Sequence, residues 1–422
     1  MKYYEQHLLK IVKFMKRYEK LIECHLSDFF TENLWEKCLP VGLRLHIEEC
    51  GSDVVHLIEH FDASNIDNSS DLSEFLLEAS QLRLENCPNV MKRSEFSKVV
   101  NIEGNDSSKP LESKFMAIKK WHEVEMLTST ICWVSANQNS IIVDAGSGKG
   151  YLSLYLAMNH NLPVLAIEGS QINHKQAKVH GDLIRKKLNK SSSLIQYVSR
   201  KIDEDTKLQQ LVKENFPDLC VSDNIVLTTL HGCGSLTDTI LKSFVNVTEA
   251  RCLCVVPCCY HLSSEPMTGY HSFTPNSRML AQHVVERVKI KPTRYNLTSP
   301  SLFYRALLQI ILHQAGMPEA RIGRGAPLDN FLTYAKWGLT RVNLEIPSDD
   351  TLEEVYHEYR ESEWKFNVFQ SLRVQIAPVI EAAIILDKLL YLQQSNICTK
   401  LEVIQIFDPV VSPRSWAIVA VK

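Results

Sequence analysis

The 422-residue chain predicts an α/β fold: a Rossmann-like, doubly wound sheet with helical regions before it and inserted into it. Three stretches carry that expectation. Ile141-Ile-Val-Asp-Ala145 is an apolar run broken only by Asp144; glycines follow at alternate positions (Gly146, Gly148, Gly150), then the mostly apolar Tyr151-Leu-Ser-Leu-Tyr-Leu-Ala-Met158. Strand, glycine turn and buried helix in that order open a doubly wound sheet. Pro163-Val-Leu-Ala-Ile-Glu168-Gly169 is a second apolar strand ending in an acid. Near the other end, Glu402–Phe407 and Trp416–Val421 flank Asp408-Pro-Val-Val-Ser-Pro-Arg414, which suits an antiparallel closing pair.

Residues 1–100 read as an N-terminal helical region. Leu8, Leu9, Ile11, Val12, Phe14, Met15 and Tyr18 recur at helical spacing, with basic residues mostly on the other face. That basic face is either solvated or a nucleic-acid contact. Because Lys10, Lys13, Lys16 and Arg17 interrupt the apolar residues, the opening does not read as a signal peptide. The polar segment 62–71 breaks the region, a helix from Leu72 to about Leu84 follows, and 101–110 is a second loose segment. The near balance of 46 basic against 49 acidic residues argues against a broad phosphate-binding surface. Twelve cysteines without a C-x-x-C pair suggest a reducing, intracellular setting, cytoplasmic or nuclear.

The sheet core is expected over residues 111–278. Before the first strand, a helix carries Lys119, Lys120, His122 and Glu123. It is either an ordinary charged helix start or the mouth of the nucleotide site, the lysines meeting a cofactor carboxylate and His122 and Glu123 moving protons. A basic helix, Gln171 to Lys190, follows the second strand and is either exposed or in contact with RNA. Leu194–Val198 suits a third strand, after which Asp203 or Asp205 can reach an adenine amino group. Ile225–Leu230 enters a turn at His231-Gly-Cys233-Gly-Ser235, and Arg251–Pro257 ends in Cys258-Cys259-Tyr260-His261. Both segments end where open α/β sheets gather ligands. No metal is expected there, because adjacent cysteines point opposite ways on an extended segment. Residues 279–401 read as a helical insertion, a lid or substrate platform, and 402–422 complete the sheet. The apolar stretch Ile376–Leu392 carries Glu381, Asp387 and Lys388, so it reads as a core helix rather than a membrane span.

The glycine spacing selects among nucleotide sites. In the dinucleotide turn, G-x-G-x-x-G, the third glycine comes one residue later than here; a phosphate-binding loop needs Ser or Thr where Gly150 follows Lys149. An acid closing the first strand and then G-x-G-x-G resembles the first motif of class I S-adenosylmethionine (SAM) methyltransferases. Glu168, 24 residues after Asp144, is then placed to accept the ribose hydroxyls of adenosine. The expected SAM-binding set is Lys119, Lys120, Asp144, Gly146, Ser147, Gly148, Gly150, Glu168, Gly169 and Asp203. A tight turn with no ligand is the alternative.

Beyond these motifs the chain resembles the methyltransferase-like protein 25 family, which includes a relative labelled a ribosomal RNA adenine dimethylase domain-containing protein. The resemblance is carried by Phe29-Phe30 with Leu34-Trp35, Lys119-Lys120-x-His122-Glu123, Asp144–Gly150 and Leu230-His-Gly-Cys-Gly234. It continues through Cys258-Cys259-Tyr260, Ala377–Glu381 with Leu386–Leu392, and Phe407–Arg414. Two positions depart from the family pattern: Ser235 stands where it has an acid, and Pro257 where it has a glycine. The resemblance implies a seven-stranded class I fold and a SAM-dependent methyltransferase, here expected to act on RNA or protein. The candidate catalytic groups, read from their places on the helix before the first strand and at the strand ends, are Tyr260, His122, Glu123 and His231. The amine-methylating N-P-P-Y or D-P-P-Y motif is missing, so the dimethylase label carries no weight. The competing expectation is a non-catalytic SAM-binding or RNA-associated scaffold; an NAD-linked oxidoreductase is disfavoured by the early third glycine.

Overall fold

A computed structural model of the chain describes residues 2–61, 70–100, 116–135, 140–188, 194–217, 224–263, 266–283 and 300–422. Most of the polar break (62–69), the loose segment 101–110, Lys190 and 284–299 of the insertion therefore lie outside the described residues. Internal contacts divide the chain into two units: Met1–Leu9 with Leu84–Phe273 and Ala382–Lys422, and Lys10–Arg83 with Thr274–Glu381.

The first unit holds a mixed sheet of eight strands among the described residues: β1 (Val90–Met91), β2 (Ile141–Ala145), β3 (Val164–Glu168), β4 (Ile195–Ser199), β5 (Ile225–Cys233), β6 (Ala250–Cys258), β7 (Lys400–Gln405) and β8 (Trp416–Val421). Their order is β1-β7-β8-β6-β5-β2-β3-β4. Strands β2 to β6 pair in parallel, while β8 runs antiparallel to both β6 and β7. This is a Rossmann-like class I methyltransferase sheet with its antiparallel terminal pair. The eighth strand, β1, adds two residues parallel to β7 at the edge. A pairing that short leaves no alternation to read in sequence.

Strand β2 is buried at all five positions and β3 at four of its five. Such strands read as continuous β-branched runs because both faces are covered. Four labelled helices flank the sheet: α1 (Ile118–Ser135), α2 (Tyr151–His160), α3 (Gln171–Leu188) and α4 (Leu236–Asn246). Helix α2 buries seven of its ten residues, Leu152 to Met158, and Asn161 stops it in the left-handed conformation. On α3 the lysines Lys175, Lys178, Lys186 and Lys187 are exposed, and Ala177, Gly181 and Ile184 are buried.

The last helix among the described residues, α5 (Glu363–Gln394), is 32 residues long and contains Pro378. In its final turns, within the first unit, Asp387 accepts from the backbone N–H groups of Met267 and Thr268 at 2.7 and 2.9 Å, and Lys388 pairs with Asp238 of α4. Ion pairs that deep are tolerated because each partner neutralises the other.

The second unit is helical among its described residues. An aromatic cluster holds it, with Phe29 5.2 Å from Phe366 and 5.3 Å from Phe369 in edge contacts. The helical stretch expected over 352–367 is interrupted at Arg360–Ser362. A helix at Phe331–Arg341 was not expected. Gly338 lowers its propensity, yet a Cβ there would collide with Leu308, so that glycine allows close helix packing. No described helix is long and apolar enough to cross a membrane.

Candidate functional site

The strand order reverses at β2, whose neighbours β3 and β5 lead to opposite sides of the sheet. At such a switch point, the loops beyond the strand ends diverge and leave a crevice. A cavity of about 560 Å³ lies there, lined by the turn after β2, by Glu168 at the end of β3, and by Leu230, His231 and Cys233 of β5. Small-molecule sites commonly span roughly 300–1,000 Å³.

One side of the cavity is made of backbone. Gly146, Gly148 and Gly150 have φ of 71°, 56° and 73°, a region that costs other L-residues about 1–2 kcal/mol. A Cβ built at Gly148 meets nothing within 4 Å, so a side chain there would project into open space. The turn is pinned by Glu168: its Oε2 accepts from the Gly148 N–H and its Oε1 from the Ser170 N–H, both at 2.7 Å. Asp144 sits beneath, buried, its Oδ2 accepting from Ser153 Oγ at 2.6 Å. Its Oδ1 has no hydrogen-bond partner among the described residues, and neither does Ser147 Oγ. Burial raises the Asp144 pKa to about 6, with the Ser153 hydrogen bond opposing and the Glu168 charge adding.

Side chains from distant segments complete the lining, Lys120, His231 and Cys233 among them, and Lys120 and His231 meet at a hub, Glu123, which does not itself line the cavity. This carboxylate is fully buried. It receives Lys120 Nζ at 2.6 Å, Lys119 Nζ at 3.6 Å, Ser412 Oγ at 2.8 Å and His231 Nε2 at 3.1 Å. Burial alone would raise its pKa, but His231 and then Lys120 outweigh that and hold it well below the usual carboxylate range. Burial works to lower the His231 pKa, but Cys258 and then the Glu123 carboxylate outweigh it and raise it. With Nε2 directed at Glu123, the buried Nδ1 of His231 has no hydrogen-bond partner among the described residues.

Beside His231 the two cysteine segments converge. Strands β5 and β6 shift register between Thr229 and Gly232, opposite the stretch that leads to Pro257. A proline there cannot donate to the ladder. Cys259 then takes φ 50°, which turns its Sγ back to 3.6 Å from Cys258 Sγ. The neighbouring Cys233 thiol, ahead of His231, lowers the Cys258 pKa, while contact with Cys258 raises that of Cys233.

Several expected roles change in three dimensions. The Tyr260 ring is fully buried, with the Arg414 guanidinium carbon 5.1 Å from its centroid, so it offers no face for stacking on a substrate. His122 is not a free proton-transfer group: its Nε2 accepts from the Asp408 N–H at 3.0 Å, and burial, followed by the Arg93 charge, lowers its pKa. Together His122 and Glu123 dock the 408–412 loop onto α1. Of the two lysines Lys120 lines the cavity, while Lys119 does not and is half exposed. Asp203 is exposed and accepts from Thr206 Oγ1 at 2.6 Å within its own turn, which lowers its pKa. Neither it, nor Gly169, packed 3.4 Å from Lys201 by its would-be Cβ, nor the buried Gly150, whose would-be Cβ meets Ala177 at 3.3 Å, lines the cavity. Asn173 and Leu236 line it and were not anticipated; Cys233, expected only at the ligand-gathering end of its strand, lines it too.

With this geometry in place, comparison with known proteins is informative. Residues 119–266 match a family described as "Methyltransferase domain". They form a domain of the SAM-binding methyltransferase type. The match covers α1, the glycine turn and both cysteine segments. The chain is also similar to the protein named "Probable methyltransferase-like protein 25" of Mus musculus, 22% identical over 578 residues, covering 98% of this chain and 95% of that protein. The Homo sapiens protein of the same name is 29% identical over 294 residues, 62% of this chain and 47% of its own length.

Proposed function

We propose that the chain is a SAM-dependent methyltransferase acting on a macromolecule, RNA or protein. One observation carries the reading. Glu168 pins the Gly146–Gly150 turn beside two buried polar atoms, Asp144 Oδ1 and Ser147 Oγ, that lack hydrogen-bond partners among the described residues. An unsatisfied buried polar atom costs roughly 1–3 kcal/mol, so two at one cavity fit a polar ligand that completes them.

The residues present suit SAM. Each Glu168 oxygen accepts one backbone hydrogen bond and keeps a lone pair for a ribose hydroxyl. Asp144 Oδ1 suits the ammonium of the cofactor's amino-acid end, and Lys120 suits its carboxylate. The open space at Gly148 admits the ligand against the backbone. When bound, SAM supplies a methyl group activated by its sulfonium. The chain's contribution is placement, holding an acceptor atom about 3 Å away and in line. His231 is the group positioned to take a proton: Glu123 fixes its ring through Nε2 and leaves Nδ1 free of hydrogen bonds among the described residues.

The test is transfer of a radiolabelled methyl group from SAM to fractionated RNA and protein from cells lacking the gene. The expected result is label in one fraction with the wild-type chain and, at SAM concentrations below saturation, less with Glu168→Ala. SAM binding with no fraction labelled would instead support the scaffold reading.

A further inference from the structure

We propose that Cys233, Cys258 and Cys259 bind a zinc ion at the rim of the cavity. The three sulfur atoms lie within 4.8 Å of one another. Tetrahedral zinc, with Zn–S distances of about 2.3 Å, sets its sulfurs about 3.8 Å apart. Cys258 Sγ and Cys259 Sγ are already at 3.6 Å, so only a small closure toward Cys233 seats the ion. Adjacent cysteines on an extended strand cannot face one point. Here the left-handed backbone at Cys259, φ 50°, brings both thiols to the same side. The two segments are also tied together, because the Gly234 N–H donates to the Cys258 carbonyl at 3.1 Å. Gly234 has φ 59°, and a Cβ there would come within 2.8 Å of the Leu262 carbonyl oxygen, so this approach depends on glycine.

Three thiolates with no fourth His, Asp, Glu or Cys completing the set among the described residues leave one coordination position for water or a substrate atom. That open arrangement belongs to reactive rather than purely structural zinc. Cys233 lines the cavity, which puts the open position on its rim. His231, held by Glu123 at 3.1 Å, stands beside Cys258, and Arg414 lies near Cys259, where it offsets the negative charge of a three-thiolate site. The thiol-rich donor set favours zinc over magnesium or calcium, which take oxygen ligands.

The test is metal analysis of the full chain, purified without a histidine tag under reducing, oxygen-free conditions. About one zinc per chain is expected, as for a single three-thiolate site. It should be lost in the Cys258→Ser, Cys259→Ser double variant and kept in Cys24→Ser, whose thiol belongs to the other unit. Should the double variant fail to fold, the wild-type chain decides alone: cobalt(II) titration should give intense thiolate-to-metal absorption that shifts when a small thiol is added. A zinc-free chain with no such absorption would overturn the proposal, as would a disulfide between two of these cysteines under the same conditions. Absorption unmoved by added thiol would overturn the open position. SAM binding, read by calorimetry on the same samples, fails or holds independently.

Discussion

The two walls of the cavity are built differently. On one side, residues 144–170 form a wall of backbone: a glycine turn, held by two N–H donors onto Glu168. On the other, Lys120 of α1 and His231 and Cys233 of β5 line the cavity, tied to Glu123, Ser412 and the cysteines at the end of β6, which do not line it. The first wall is local in sequence and needs only glycine and one acid. The second joins Glu123 to Ser412, 289 positions away, so its geometry exists only once the sheet is closed. A local wall suits a common cofactor, and a long-range wall suits whatever distinguishes this chain's chemistry.

That contrast breaks most visibly at the hub. Removing one partner from a buried charged network leaves the others unpaired, at a cost of about 3–5 kcal/mol. Glu123→Ala should therefore lower unfolding stability by that amount in urea titrations, whereas Ser412→Ala, which removes one neutral donor, should lose only about 1 kcal/mol. Equal effects of the two would mean that Glu123 is not a hub and that the second wall is held elsewhere.

The first wall was legible in sequence because strand, turn and helix are contiguous. Asp144, Gly146, Ser147, Gly148 and Glu168 line the cavity, whereas Gly150 of the same turn does not. The Lys119–Glu123 cluster was visible as a motif, but its partners were not, since nothing local links His122 to Asp408 or Glu123 to Ser412. Tyr260 was misjudged for a related reason: a tyrosine at a strand end looks accessible until Arg414 packs over it. The cysteines were set aside on the premise of an extended backbone, and the left-handed turn at Cys259 removes that premise. The seven strands of the core were legible from apolar runs, whereas the two-residue β1 was too short to announce itself.

Asp144 sharpens the contrast from the first wall. Its pKa, raised to about 6 in the folded chain from an ordinary 3.8, means that the folded state holds this proton more tightly than the unfolded one. Its contribution to stability is thus fully present below about pH 4 and is lost as pH rises through 6. The gap corresponds to roughly 2–3 kcal/mol for a fully buried carboxyl. Without cofactor, Asp144→Asn should be more stable than wild type by up to about that amount at pH 7.5, with the difference fading toward pH 4. Chemical unfolding of both chains across that range measures it; a difference independent of pH would show that Asp144 is not carrying a charge at neutral pH.

The proposed binding of SAM at the glycine-turn wall rests on Glu168. Isothermal titration of SAM into the wild-type chain and Glu168→Ala tests it most directly, with circular dichroism confirming that the variant is folded. Loss of a charge-assisted acceptor predicts binding weaker by about 1–3 kcal/mol, roughly 5- to 150-fold. Unchanged affinity in a folded Glu168→Ala chain, or no binding by the wild type, would contradict it.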